Sequence, residues 1–386
     1  MQVESQLFLQ PSDVWLFRDG KPFDAGSDHR AQSHFPPLPS VMQGAVRSAY
    51  IAQITTFAAY LAGQSPPAVY AAIGKGAGNY GALTLRGPFL VGPDPHSGKS
   101  TRYYPLPADL IWRGQAYQRV LPAPGLSDQV SPVSGAANLH WASDLTDTDK
   151  PPTDLWIPEA ALTAYAGEKA TLPTREQIVT GRWLFAREAR VGLQVDSRLR
   201  AAQDALLYEA EFVRPYAGVG LNVSVGGIDP QVLGAQGVLL LGGERRTGVY
   251  SHTDLGAAPQ AAATLTGKFC LYLLTPTWFD GGWQPQNGDW GSLFSGDTAT
   301  LRLQAAVVGR PLRAGGIDLA ASSRLAAAPA GERRTIVHKP ARLLVPAGSV
   351  YYFEAAGTVA LNNRNNSLCS GADGQIGFGQ ALDGRW

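Results

Sequence analysis

Prolines constrain this chain most tightly within residues 11–50, PSDVWLFRDGKPFDAGSDHRAQSHFPPLPSVMQGAVRSAY. Each proline fixes φ and removes an amide donor, so Phe35-Pro36-Pro37-Leu38-Pro39 is held extended and is unfit for a helix interior or a central strand. Before that tract, apolar residues alternate over 7–17, the period of a half-buried strand, and Asp19-Gly20 supplies a turn. After it, Ser40 is positioned to cap a helix. Val41, Ala45, Ala49, Ala52, Phe57, Tyr60 and Leu61 recur at helical spacing until Gly63, a residue that tolerates the left-handed stop. Strand, charged turn, extended stop and arginine-bearing helix follow one another without filler, which is the layout of a scaffold that exposes loops.

The alternation continues downstream. Strands are predicted at 82–91, 103–112, 183–195, 206–213 and 218–227, with 183–195 and 206–213 forming a β-pair across a polar, arginine-bearing connection. Residues 114–182 are polar, proline-dotted and acidic in the middle, and read as an insertion with short helices at 159–165 and 175–179. Beyond 230 the spacing predicts a helix over 230–240, then strands at 268–275, 301–308 and within 342–354. A strand, helix, strand, strand, helix, strand succession is that of a ferredoxin-like unit, in which helices cover one face of an antiparallel sheet. With 386 residues, 45% of them hydrophobic, the chain can bury two ordinary cores, and 44 glycines with 28 prolines favour a turn-rich α+β fold.

Charge excludes one class of partner and localises another. The formal net charge is only +1, far from that of a protein binding duplex DNA by charge alone. The charge is segregated, however: residues 302–342 carry eight basic side chains against two acidic ones, and residues 175–200 carry six against three. Any nucleic-acid contact must rest on such local patches. The two cysteines, Cys270 and Cys369, have neither disulfide-framework nor metal-ligand spacing, which fits a reducing cytoplasm. No secretory leader pattern and no long apolar run is present, so no membrane partner is expected.

Several motifs carry less than they first suggest. Gly76-Ala77-Gly78-Asn79-Tyr80-Gly81 matches a dinucleotide fingerprint but follows a helix and leads into a strand, the reverse of the required context. Residues 92–100 imitate a P-loop with one residue too many between the glycines, and two prolines remove amides that would cradle phosphate. None of the six histidines pairs with another at i, i+4, so neither a metal site nor a cofactor is indicated. His29, near the N-terminal turn, is either a polar loop residue or a general acid or base of ribose chemistry. Trp278, Trp283 and Trp290 form either a satellite core, a protein contact or a sugar platform. The tail Gly371-Ala372-Asp373-Gly374-Gln375-Ile376-Gly377-Phe378-Gly379 reads in two ways: a phosphate-approaching loop in which Phe378 stacks a base, or a tight hairpin with Phe378 in the core.

Residues 11–50, read with Arg190-Val191-Gly192-Leu193, Leu207-Tyr208-Glu209, Leu241-Gly242-Gly243-Glu244-Arg245, Leu274-Thr275-Pro276, residues 345–352 and Gly377-Phe378-Gly379, are similar in order and spacing to one family. The chain resembles the crRNA-handle-binding RAMP subunit, the third subunit, of the type III-B CRISPR Cmr effector complex. That resemblance implies two ferredoxin-like (RRM-like, RAMP) domains with long loop insertions, divided here as 1–229 and 230–386. It also implies a non-catalytic subunit that caps the crRNA 5′ handle and docks on the large polymerase-like Cmr subunit and the backbone RAMP subunits. By motif position the RNA-binding residues are Arg18, His29, Arg47, Arg187, Arg190, Arg245, Arg246, Gly377, Phe378 and Gly379. The alternatives are a repeat-RNA-cleaving RAMP endoribonuclease and a carbohydrate-binding protein or hydrolase.

Overall fold

Ser5–Pro11 buries Ser5, Leu7 and Leu9 and turns the intervening side chains outward, as the alternation predicts. In the computed structural model, which describes residues 4–20, 30–76, 78–122, 154–195, 202–316, 337–362 and 365–386, this strand lies inside an eight-stranded sheet. The order is Gln236–Leu240, Thr247–His252, Ser5–Pro11, Gly220–Gly226, Thr84–Pro93, Ser100–Pro105, Leu155–Pro158 and Val179–Thr180, every neighbour antiparallel. Gly220–Gly226 is buried along its whole length, because both faces of the sheet are covered at its centre. Met42, Val46, Tyr50 and Ile51 of the helix Pro39–Ile54 pack into the same core as Leu7, Leu9, Leu221 and Val223.

A second antiparallel sheet runs Phe294–Gly296, Val350–Leu361, Leu265–Leu273, Ala381–Arg385, with Arg302–Val307 also paired to Val350–Leu361. Its core is aromatic: the rings of Trp290 and Phe353 meet edge to face at 5.1 Å and those of Phe269 and Phe353 stack at 5.5 Å. Trp290 belongs to this core and Trp283 packs against it, which resolves two of the three clustered tryptophans as packing residues rather than a sugar platform. In both sheets the last strand in chain order, Thr247–His252 or Ala381–Arg385, lies beside the first, Ser5–Pro11 or Leu265–Leu273.

Several sequence expectations change. The helix predicted to run to Gly63 ends at Ile54, and a separate turn of helix, Phe57–Leu61, is capped by the Thr56 side chain, which accepts from Ala59 N at 3.1 Å. Ser40 lies inside the first helix rather than capping it. The helix predicted at 230–240 is a 3-10 turn, Pro230–Val232, followed by the strand Gln236–Leu240; Gly234 at φ 68° breaks the run, and pairing with Thr247–His252 decides an apolar stretch that periodicity leaves ambiguous. That strand pair belongs to the first sheet, so the eight-stranded sheet draws on residues beyond 229. By contrast Glu159–Ala166 is a helix, while 175–179 supplies only the 3-10 turn Arg175–Gln177 and the start of a strand.

Two features tie the halves together. Arg102, 1% exposed, donates to Asn222 Oδ1 (2.8 Å), Glu159 Oε2 (3.0 Å), Gln6 Oε1 (3.2 Å), Leu255 O (3.3 Å) and Gly256 O (2.6 Å), pinning the connection that leaves the first sheet. The C-terminal tail makes the other tie. Phe378 is buried in the first core while Leu368 and Ala381 are buried in the second, and Gln380 Oε1 accepts from Gly87 N at 2.9 Å.

Candidate RNA-binding surface

The predicted β-pair is a long ribbon, Phe185–Val195 against Ala202–Pro215. Register fixes which side chains meet. Glu188 lies opposite Phe212 and Arg190 opposite Ala210, so the period of two brings Glu188, Arg190, Phe212 and Arg214 to one face and Arg187, Glu211 and Val213 to the other. The segment carrying Val14, Trp15 and Leu16 crosses the ribbon base, with Trp15 N donating to Val213 O at 2.9 Å and Val213 N returning to Trp15 O at 2.8 Å. Beneath the first face Val14, Leu16, Ala31, Ala210 and Phe212 form a small separate core.

Arginines converge above that core. The guanidinium of Arg190 lies 4.7 Å and that of Arg246 4.9 Å from the centroid of the Phe212 ring, whose quadrupole favours both. Asp13 holds the group together: its carboxylate is 3.0 Å from Arg214 Nη2, 3.6 Å from Arg190 Nη2 and 3.7 Å from Arg246 Nη1. Glu188 accepts from Arg190 Nη2 at 3.1 Å and also bonds Arg214, whose hydrogen bond is the main reason its carboxyl titrates below the usual range. The hydrogen bonds that Arg214 donates to Glu188 and Asp13 raise the pKa of its guanidinium in turn. Glu244 lies 3.5 Å from Arg246, and the neighbouring Arg245, at φ 55°, is exposed with no side-chain partner among the described residues. Exposed ion pairs of this kind add little to stability; their effect is to hold three guanidinium groups, those of Arg190, Arg214 and Arg246, together at a half-exposed face beside Arg245.

The other predicted residues are dispersed. Arg187, on the opposite face, bonds Glu211 Oε1 (2.5 Å) and Ser33 O (2.9 Å) and borders a cleft of about 230 Å³ with His34, Pro36, Asp154 and Thr275. Burial, reinforced by Arg187, pushes the His34 imidazole down to about 4. Arg18 is exposed and bridges backbone-to-backbone with Ser33 at the edge of this region. His29 lies outside the described residues.

Arg47 lies apart from this face, and the tail requires correction. Arg47 donates to Asn79 O (3.1 Å) and Gly76 O (3.5 Å), with the Tyr80 ring 5.8 Å away, and burial lowers its pKa. It clamps the glycine loop that imitates a dinucleotide fingerprint. Phe378 is 5% exposed within the first core, which leaves no face for a base. Gly377 and Gly379 have φ of 105° and 66°, and a Cβ would meet Gly87 O at 2.5 Å and Leu368 O at 2.3 Å. The glycines are therefore required by interior packing, not by the approach of an RNA backbone. Residues 92–100 form the turn between Thr84–Pro93 and Ser100–Pro105, with no helix to follow as a phosphate loop requires.

Sequence reasoning missed Arg214, Asp13 and Glu188. Two were within reach: Arg214 follows Phe212 by two, and Glu188 precedes Arg190 by two, so alternation alone assigns each to the arginine face. Asp13 carries no such signal, because the crossing of two segments distant in sequence brings it there.

Residues 7–386 match the family model described as CRISPR-associated protein (Cas_Cmr3). The chain belongs to that family. It is thus a Cmr3-type subunit of type III-B CRISPR systems. No curated protein matches. Among solved structures the chain is similar to one in the type III-B Cmr-beta complex bound to cognate target RNA and AMPPnP, at 12% identity, over 90% of this chain and 86% of that one, with a TM-score of 0.46. A second Cmr-beta complex, bound to cognate target RNA, gives 14% identity, the same coverage and a TM-score of 0.43. The Csm3–Csm4 subcomplex of a type III-A interference complex gives 10% identity over 93% and 100%, with a TM-score of 0.36. The family model, not these distant structures, decides the assignment. Among the described residues no helix is long and apolar enough to cross a membrane, and no three His, Cys, Asp or Glu side chains are grouped to hold a metal ion.

Proposed function

We propose that this Cmr3-type chain is a non-catalytic RNA-binding subunit that holds the 5′ handle of the crRNA and docks on the large polymerase-like subunit and the backbone RAMP subunits of its effector. Two ferredoxin-like units form the scaffold, a reading supported by the last strand in chain order lying antiparallel beside the first in each sheet. The observation that carries the RNA-binding part is the convergence of Arg190, Arg214 and Arg246 on Asp13 above the Phe212 ring, with Arg245 beside them. Guanidinium groups on handle phosphates supply affinity that is insensitive to sequence, and single-stranded bases splayed against neighbouring loops supply selectivity.

The chain purified alone tests the reading. It is to be mixed with repeat-derived RNA carrying the handle, with and without divalent metal, and followed by gel shift and denaturing gel. Binding without cleavage, unaffected by chelator, is the predicted result. Multiple-turnover cleavage abolished by His29→Ala would replace it with the endoribonuclease reading.

A further inference from the structure

The strand Gln236–Leu240 is the outer edge of the eight-stranded sheet and, among the described residues, pairs only with Thr247–His252. His252 N donates to Ala235 O at 3.3 Å and Leu241 N to Arg246 O at 2.8 Å. Along an antiparallel pair this parity turns the backbone groups of 235, 237, 239 and 241 inward and those of Gln236, Val238 and Leu240 outward. Among the described residues nothing bonds these outward groups. The same parity sorts the side chains. Leu239, 1% exposed, packs in the core, whereas Val238 is 60% exposed, Leu240 64%, and Val249, directly opposite Val238, 47%. Natural edges are usually blunted by lysine, proline or a bulge, yet this one has none: the register runs unbroken from Gln236 opposite Ser251 to Leu240 opposite Thr247. The turn that follows carries Arg245, exposed and without a side-chain partner among the described residues.

We propose that this edge takes an extended segment of another protein subunit as a ninth strand of the sheet. Donors and acceptors recurring every second residue, about 6.8 Å apart, match the backbone of another strand, and RNA, which offers phosphates rather than alternating amides and carbonyls, does not. The incoming segment lays small or branched apolar side chains over Val238, Leu240 and Val249. This rests on the reading of the chain as an effector subunit, and the two fail differently.

Amide hydrogen exchange of the whole chain, free and within an effector assembled from it and the subunits encoded with it, tests the proposal. The amides of Gln236, Val238 and Leu240 are expected to exchange at least about ten-fold more slowly in the assembled effector. Val238→Pro removes one outward amide and no internal hydrogen bond, so the variant should melt as wild type, bind handle RNA as wild type and be lost from the effector. Val238→Lys, which keeps the amide, gives the same loss through its side chain and guards against a folding defect in the proline variant. An assembled effector with unprotected edge amides overturns the proposal while sparing the subunit reading. Protection that arises in the concentrated free chain also overturns it, giving the edge to a second copy of this chain. Failure of the wild-type chain to enter any effector sinks both.

Discussion

Replacing Arg102 with methionine isolates the polar knot that ties the two halves. The guanidinium is 1% exposed and makes five kinds of contact: Asn222, Glu159, Gln6 and the carbonyls of Leu255 and Gly256. Methionine fills much of the volume, so the loss is polar rather than a cavity. Breaking a buried ion pair by removing one partner costs about 3–5 kcal/mol, because the remaining charge stays uncompensated. The Glu159 side chain is 26% exposed and keeps Tyr104 Oη as a donor at 2.9 Å, so water and one hydrogen bond relieve it and place the cost near the lower end, about 3 kcal/mol. At roughly 2 °C per kcal/mol for a chain longer than 250 residues, scanning calorimetry should find the melting temperature lowered by about 6 °C. The double variant Arg102→Met/Glu159→Gln removes the orphaned charge and should recover about half of that loss. A melting temperature within 1 °C of wild type for Arg102→Met, or strictly additive effects in the double variant, refutes the account of the knot.

Three further outcomes follow from the same geometry. Gly379→Ala should lower the melting temperature while the refolded protein keeps its handle-RNA affinity, since φ of 66° and the Leu368 carbonyl leave no room for a Cβ; an affinity loss at unchanged stability would restore the tail to the RNA surface. Asp13→Asn removes the carboxylate shared by three arginines and should tighten RNA binding at low salt, read by fluorescence anisotropy; weaker binding would mean that Asp13 is needed to orient them. His34, with its folded pKa near 4 against about 6.5 unfolded, binds fewer protons folded than unfolded between those values. Stability should therefore fall as pH drops from 6.5 to 4, with a slope approaching about 1.4 kcal/mol per pH unit, and His34→Phe should flatten that segment of a urea-denaturation series.

Much of the scaffold was legible in the sequence wherever period and punctuation agree. The strands at Thr84–Pro93, Gly220–Gly226 and Leu265–Leu273 fall within a few residues of their predicted spans, because alternation or buried apolar runs are bounded by glycine and proline, whereas the strand predicted over 7–17 ends at Pro11. Residues 230–240 were misread because Val238-Leu239-Leu240-Leu241 satisfies either period, and only pairing with a strand seven residues on decides it. The site divides similarly. Arg190 and Arg246 meet over Phe212, a proximity that no motif spacing carried, whereas Phe378 is buried in the first core and the half-buried Arg47 donates to the carbonyls of Gly76 and Asn79, since burial depends on neighbours that no local pattern encodes. The contribution of Asp13 arises from a chain crossing and leaves no trace in local spacing.

The central claim is that the arginine face on Phe212 carries the handle phosphates. Its most direct test is the salt dependence of handle-RNA affinity for the wild-type chain and for Arg190→Ala/Arg246→Ala, measured by anisotropy between low and physiological salt. Each phosphate contact on single-stranded RNA contributes about 0.7 to the slope of log K against log salt, so the double variant should bind more weakly with a slope smaller in magnitude by about 1.4. Equal slopes for the two proteins, with the variant folded, would contradict the claim and move the RNA to another surface.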